Sequence, residues 1–194
     1  MSIEKSRKRG KNKISFPDII LSASALLISL SALFVSISQV RLMQKQMHLS
    51  VMPRIDISFS SNSQEIIISI TNSGLGPAEI LATKIEYDSI PVNSWDELFL
   101  LMNREKTAVE NFTASKLKNR MLVPQQIFPI FTSNGKNNFE LIEANKEKIK
   151  ITLFYKSLYD DYFEVCRENM SVSSSITNKK VSYCSFSEKE SFQR

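Results

Sequence analysis

Between Ile19 and Val40 the chain runs for 22 residues without one charged side chain. As an α-helix this run is about 33 Å long, close to the ~30 Å hydrocarbon core of a bilayer. Twelve of the 22 are Ile, Leu, Val or Phe, which favours insertion by roughly −4 to −7 kcal/mol. A soluble core helix of this length would carry a charged stripe, and none is present. A cleaved secretion signal has the preceding basic residues and the small-residue site Ser36-Ile37-Ser38 in its favour. Its apolar region normally spans only about 7–15 residues. A retained transmembrane helix is the favoured reading.

The same run is rich in hydroxyls on a seven-residue beat. Ser22, Ser29 and Ser36 are seven apart, as are Ser24, Ser31 and Ser38. Ser22, Ala25, Ser29, Ala32 and Ser36 would form one narrow seam of small residues on a helix. Such seams let helix backbones approach closely in lipid and so promote association. The alternative is that each hydroxyl bonds its own i−4 carbonyl and has no further role.

Charge is concentrated ahead of this run. Lys5, Arg7, Lys8, Arg9, Lys11 and Lys13 stand against Glu4, and the remaining residues carry 19 basic and 19 acidic side chains. The net charge of +5 is therefore a property of the tail. It gives the folded part no basic face for nucleic acid. Beside an apolar run, it suits anionic lipid head groups. Six basic residues precede the span, and Arg41, Lys45 and Arg54 follow within fifteen residues. This bias predicts a cytoplasmic N-terminus and a C-terminal domain outside the inner (plasma) membrane.

Past the span, Pro53 predicts the end of a helical extension. Period-two alternation then sets in at Ile55, Ile57 and Phe59, and the denser "EIIISITN" reads as a central strand. Asn72, Gly74, Gly76 and Pro77 read as a structural turn, with the glycines permitting positive φ. "AEILATKIEY" is a third strand. Ser94 and Glu97 form a capping box, placing Trp95, Leu98, Phe99 and Met102 on one face of a short helix. Residues 103–120 read as loop. Pro124 and Pro129 mark edges or bends, and "FELIEANKEK" is a second short helix. Ile149 to Val165 reads as a hairpin turning at Asp160-Asp161, and "KVSYCSF" as a last strand. The predicted fold is mainly β: an N-terminal transmembrane α-helix followed by an antiparallel Ig-like β-sandwich with two short helices. The organisation is a basic cytoplasmic tail (1–16), the span (17–40), a juxtamembrane extension (41–53), the sandwich (54–187) and a disordered tail (188–194).

Catalytic chemistry is sparse. His48 is the only histidine, so neither a Ser–His–Asp nor a Cys–His site has a base within the strands. Met43, Met47, His48 and Met52 suit interfacial packing better than a soft metal site. "NSGLGPA" lacks the Lys and strand–helix context of a phosphate loop. No cofactor or metal is expected, and the chain reads as non-enzymatic. Cys166 and Cys184 form a disulfide in an oxidising compartment or stay as free thiols in a reducing one.

The order of basic tail, single span, "PRIDI" strand, "TNSGLGPAEI" and "YKSLYDDYFEV" resembles small bacterial membrane proteins with one anchor before a β-sandwich carrying an Asn-x-Gly-x-Gly-Pro-Ala turn. These include retron-type transmembrane effectors of anti-phage defence. The resemblance implies a membrane-damaging effector held in check by a protein partner. The residues themselves point to the lipid bilayer and to self-association or a protein partner. An envelope adaptor and a secreted binding protein remain open as alternatives.

Overall fold

The computed structural model describes residues 15–62, 65–103, 108–171 and 175–192. The basic tail from Lys5 to Lys13 lies outside the described residues. The chain divides into two compact units, Met1–Gln46 and Met47–Arg194.

The first unit is the helix α1, Phe16–Ser50, whose last turn belongs to the second unit. None of its residues is buried. The side chains of Leu21, Ile28 and Phe34 are 70–72 % exposed. The uncharged stretch Ile19–Val40 makes α1 long and apolar enough to cross a membrane.

The second unit is a sandwich of two antiparallel sheets. Its strands are β1 Ile55–Asn62, β2 Glu65–Asn72, β3 Ala78–Tyr87, β4 Ile90–Val92, β5 Phe112–Ala114, β6 Arg120–Leu122, β7 Ile127–Ser133, β8 Ile149–Ser157, β9 Tyr162–Arg167 and β10 Ile176–Val181. One sheet has the order β1-β2-β7-β5, the other β10-β9-β8-β3-β4, with β6 also paired to β3. This is the immunoglobulin arrangement of A-B-E-D facing C′-C-F-G, with β10 added beyond the G position. Two short helices, α2 Trp95–Met102 and α3 Lys136–Asn145, complete it.

Alternation builds the core. Ile66, Ile68 and Ile70 of β2 face Ile151, Leu153 and Tyr155 of β8, all fully buried. β2 lies between β1 and β7, as its apolar density predicts. Ser94 caps α2 by accepting from Glu97 N (3.2 Å), and Glu97 reaches back to Asn93 N (2.7 Å). Trp95, Leu98, Phe99 and Met102 are buried. Trp95 and Phe99 meet Phe131 at ring distances of 4.6 and 5.9 Å.

Several local expectations need correction. The stretch 103–120 contains β5 and the start of β6. Strands of three residues leave no readable period. The last strand is Ile176–Val181, ahead of "YCSF". Pro129 lies in β7, a central strand, where the register against β2 shifts between Ile68 and Ser69. That irregularity accommodates a residue without an N–H. The tail set apart at residue 188 is ordered through Phe192, whose N–H donates to Thr83 O (2.7 Å). Cys166 and Cys184 are free thiols, so the disulfide is not formed. Thr152 donates to Cys166 Sγ (3.6 Å), and burial pushes the Cys184 thiol up from its ordinary pKa.

Candidate functional site: the Asn72 clasp

The turn singled out in the sequence grips the chain that leads out of α1. Asn72 is fully buried at the end of β2. Its Nδ2 donates to Gly76 O (2.8 Å) and Leu122 O (3.0 Å). Its Oδ1 accepts from Gly74 N (3.1 Å) and Arg54 N (3.3 Å). The backbone N–H donates to Gln126 O (3.1 Å), and the carbonyl accepts from Gln125 N (2.8 Å). A buried amide with both ends used is stabilising, whereas one left half-satisfied costs about 1–3 kcal/mol.

Neighbouring groups extend the grip. Ser73 N donates to Arg54 O (2.8 Å), and Leu75 N to Met52 O (3.1 Å). The Ser73 hydroxyl donates to Asp56 Oδ2 (2.5 Å). Residues 52–54 are thus paired to the turn like an extra rung before β1. The glycines serve this approach rather than a left-handed turn, since no glycine among the described residues has positive φ. A Cβ on Gly74 would stand 2.3 Å from Arg54 N, and one on Gly76 only 1.6 Å from Val51 O. The expectation of positive φ is therefore corrected: these positions need glycine because another backbone lies against them.

The opposite sheet holds the same segment. Tyr155 of β8 donates to Asn178 Oδ1 of β10 (3.0 Å) and accepts from Ile55 N (3.5 Å). Asn178 Nδ2 donates to Ile55 O (3.2 Å). Burial pushes the Tyr155 phenol above its ordinary pKa. One step further along, Arg167 is 7 % exposed and donates to three carbonyls, of Ile57 (2.7 Å), Ser171 (2.9 Å) and Asn169 (3.0 Å). Desolvation lowers its pKa.

The last turn of α1 also meets the sandwich. His48 Nε2 lies 3.0 Å from Asp161 Oδ2, and its ring stacks on Tyr159 at 4.7 Å. Asp161 is paired with Lys180 at 2.5 Å as well. Asp160 takes φ 56° in the hairpin turn and pairs with Lys156 (3.3 Å). The "YDDY" stretch is thus both a turn and the partner of His48, a contact separated by 113 positions that no local pattern announces. Among the described residues, no three His, Cys, Asp or Glu side chains gather as a metal site.

In the span, Ser22, Ala25, Ser29, Ala32 and Ser36 are all exposed on α1. Ser22 donates to Asp18 O (2.8 Å) and Ser29 to Ala25 O (2.5 Å). The parallel series does the same: Ser24 to Leu21 O (2.8 Å), Ser31 to Leu27 O (2.8 Å) and Ser38 to Phe34 O (3.0 Å). Each of these hydroxyls is satisfied inside its own helix and leaves no orphaned donor.

A long apolar helix followed in the chain by an immunoglobulin-like sandwich of two antiparallel sheets defines the class of this protein. The chain belongs to the family described as a domain of unknown function, DUF8453, whose model matches residues 19–179. The matched region takes in the apolar run, the strands through β9 and the first part of β10. No curated protein matches the chain.

Proposed function

We propose that this is a non-enzymatic, single-pass membrane protein that displays a binding sandwich and acts through association of its span. The carrying observation is that α1 holds a bilayer-length stretch without charge, Ile19–Val40, and has no buried residue. The family match supports a retained anchor over a cleaved signal, because it begins inside the apolar run. Positive charge before the span favours an N-terminus in the cytoplasm and a sandwich outside the inner membrane. The finer reading is an anti-phage defence effector that disrupts that membrane by self-association along Ser22, Ala25, Ser29, Ala32 and Ser36, as the resemblance of the sequence implies.

Overexpression of the full chain in a bacterial host should then leave it in the membrane after alkaline extraction and collapse membrane potential. Ser29→Leu with Ala32→Leu should abolish the collapse without changing membrane insertion. Equal toxicity of the double variant would remove the seam mechanism. The internally satisfied serines favour a second reading, an envelope adaptor in which the helix only anchors. Under it, replacing residues 17–40 by an unrelated span preserves function.

A further inference from the structure

Strand register gathers several connections at one end of the sandwich. Ile55 pairs with Asn72, Thr71 with Ile127, Ala78 with both Leu122 and Ser157, and Lys156 with Tyr162. The entering chain at residues 52–54 and the turns 73–77, 123–126 and 158–161 therefore lie together. Asn72 ties the two sheets there through Leu122 O (3.0 Å). Each of these connections carries an apolar side chain open to solvent. Met52, Leu75, Val123 and Leu158 are 41–68 % exposed, and Ile127, the first residue of β7, lies in the same range. A groove of about 550 Å³ runs from Met52 and Leu75 to Ile176 of β10, all three with accessible surface.

The other end is different. Its described connections Asp88–Ser89, Asn134–Gly135 and Lys146–Lys148 hold no large apolar side chain, and of the residues flanking them only Ile90 is apolar and exposed. Single exposed apolar residues are ordinary on a protein surface. An apolar tip on every connection of one end is a patch, and such patches mark interaction surfaces.

Two observations identify the partner. The chain enters the sandwich at this end, with Met52 twelve residues beyond Val40, where the apolar run closes. Twelve residues reach at most about 43 Å, so this end is tethered within that distance of any bilayer that holds the run. Tethering raises the effective concentration of that surface for the patch. The basic side chains at this end are also matched: Arg54, Lys156 and Lys180 pair with Asp56, Asp160 and Asp161. Apolar contact rather than charge is what this end offers, and separate tips can enter one by one between lipid head groups.

We propose that this end of the sandwich docks on the bilayer surface, with Leu75, Val123 and Leu158 in the interfacial layer. The proposal rests on the membrane reading above and adds a second, peripheral contact to the span.

Trp95 is the only tryptophan in the chain and is buried, so its emission is a constant background for tryptophans placed on the tips. Leu75→Trp, Leu158→Trp and, as a control, Leu100→Trp, exposed on α2, are made in the full chain and held in phosphatidylcholine nanodiscs. Replacing that lipid by phosphatidylcholine brominated in its acyl chains should quench the added emission of Leu75→Trp and Leu158→Trp about twofold. It should leave the unsubstituted chain and Leu100→Trp unchanged, with equal thermal midpoints throughout. Quenching at positions 75 and 158 no greater than at position 100 overturns the proposal while leaving the span in place. A blue-shifted but unquenched emission at both tips means that protein, such as a second copy, covers them, and overturns it too. A full chain that does not enter the discs removes the span reading itself, and the docking with it.

Discussion

The helix and the sandwich satisfy their polar groups in opposite ways. Every hydroxyl bond within the apolar run spans three or four residues, from Ser22 to Asp18 O through Ser38 to Phe34 O. In the sandwich the polar side chains reach across the chain: Arg167 to Ile57 O over 110 positions, Asn178 to Ile55 O over 123, and Asn72 to Leu122 O over 50. The helix is stable by itself wherever lipid replaces water. The sandwich exists only once distant segments have met. Local bonding suits an apolar run with no buried residue, and long-range bonding makes the sandwich cooperative.

Breaking the clasp tests this contrast most severely. Asn72→Ala leaves the N–H groups of Arg54 and Gly74 and the carbonyls of Gly76 and Leu122 without their partner. We expect a loss of about 3 kcal/mol, read as rapid amide exchange in β1 and β2 by hydrogen–deuterium exchange. The span should stay resistant to alkaline extraction in the same variant. If the helix were lost from the membrane together with the strands, the two regions would not be independent.

A smaller effect is expected on the other sheet. Arg167→Leu removes the donors to Ile57, Asn169 and Ser171. The expected cost is about 2 kcal/mol, seen as a lower denaturation midpoint without a change in membrane association. A neutral result would mean that the edge near β1 and β9 is held by apolar packing alone.

The mildest test sharpens the comparison through pH. Ser187 N–H, the Lys84 ammonium and the Ser187 hydroxyl hold the Glu190 carboxyl at about 2, below its ordinary 4.5. A carboxyl lowered in the folded state contributes stability above pH 4.5, and that contribution is lost as pH falls toward about 2. Glu190→Gln should therefore flatten the pH dependence of sandwich unfolding in this window, measured as thermal midpoints from pH 5 to 2. The residue sits beside Phe192, so the test also reports how firmly the C-terminal segment is fastened to β3.

Much of this architecture was legible beforehand, and the failures share a cause. Composition alone marks the span at Ile19–Val40. Alternation marks β1, β2, β3, β8 and β9, and the capping box at Ser94 marks α2. The three-residue strands β4, β5 and β6 are too short to carry a period, and they form because β3 and β7 offer edges to pair with. The turn from Asn72 to Pro77 reads as structural from its residue types, but the use of its glycines does not show there. A glycine's flexibility is a property of the residue, but a backbone pressed against it at Val51 or Arg54 belongs to the fold. Tyr155, Arg167 and Asn178 were unmarked for the same reason, since their partners lie far away in the chain.

Residue order by itself determined that a bilayer-length helix precedes strands of period two, because hydrophobic length and alternation are local quantities. Only the tertiary structure decided that Asn72, Tyr155 and Asn178 would close on residues 54–55, and that the turns carrying Leu75, Val123 and Leu158 would gather at one end. Hydrogen bonds across fifty to a hundred residues and the room beside a backbone come into being when the two sheets pack.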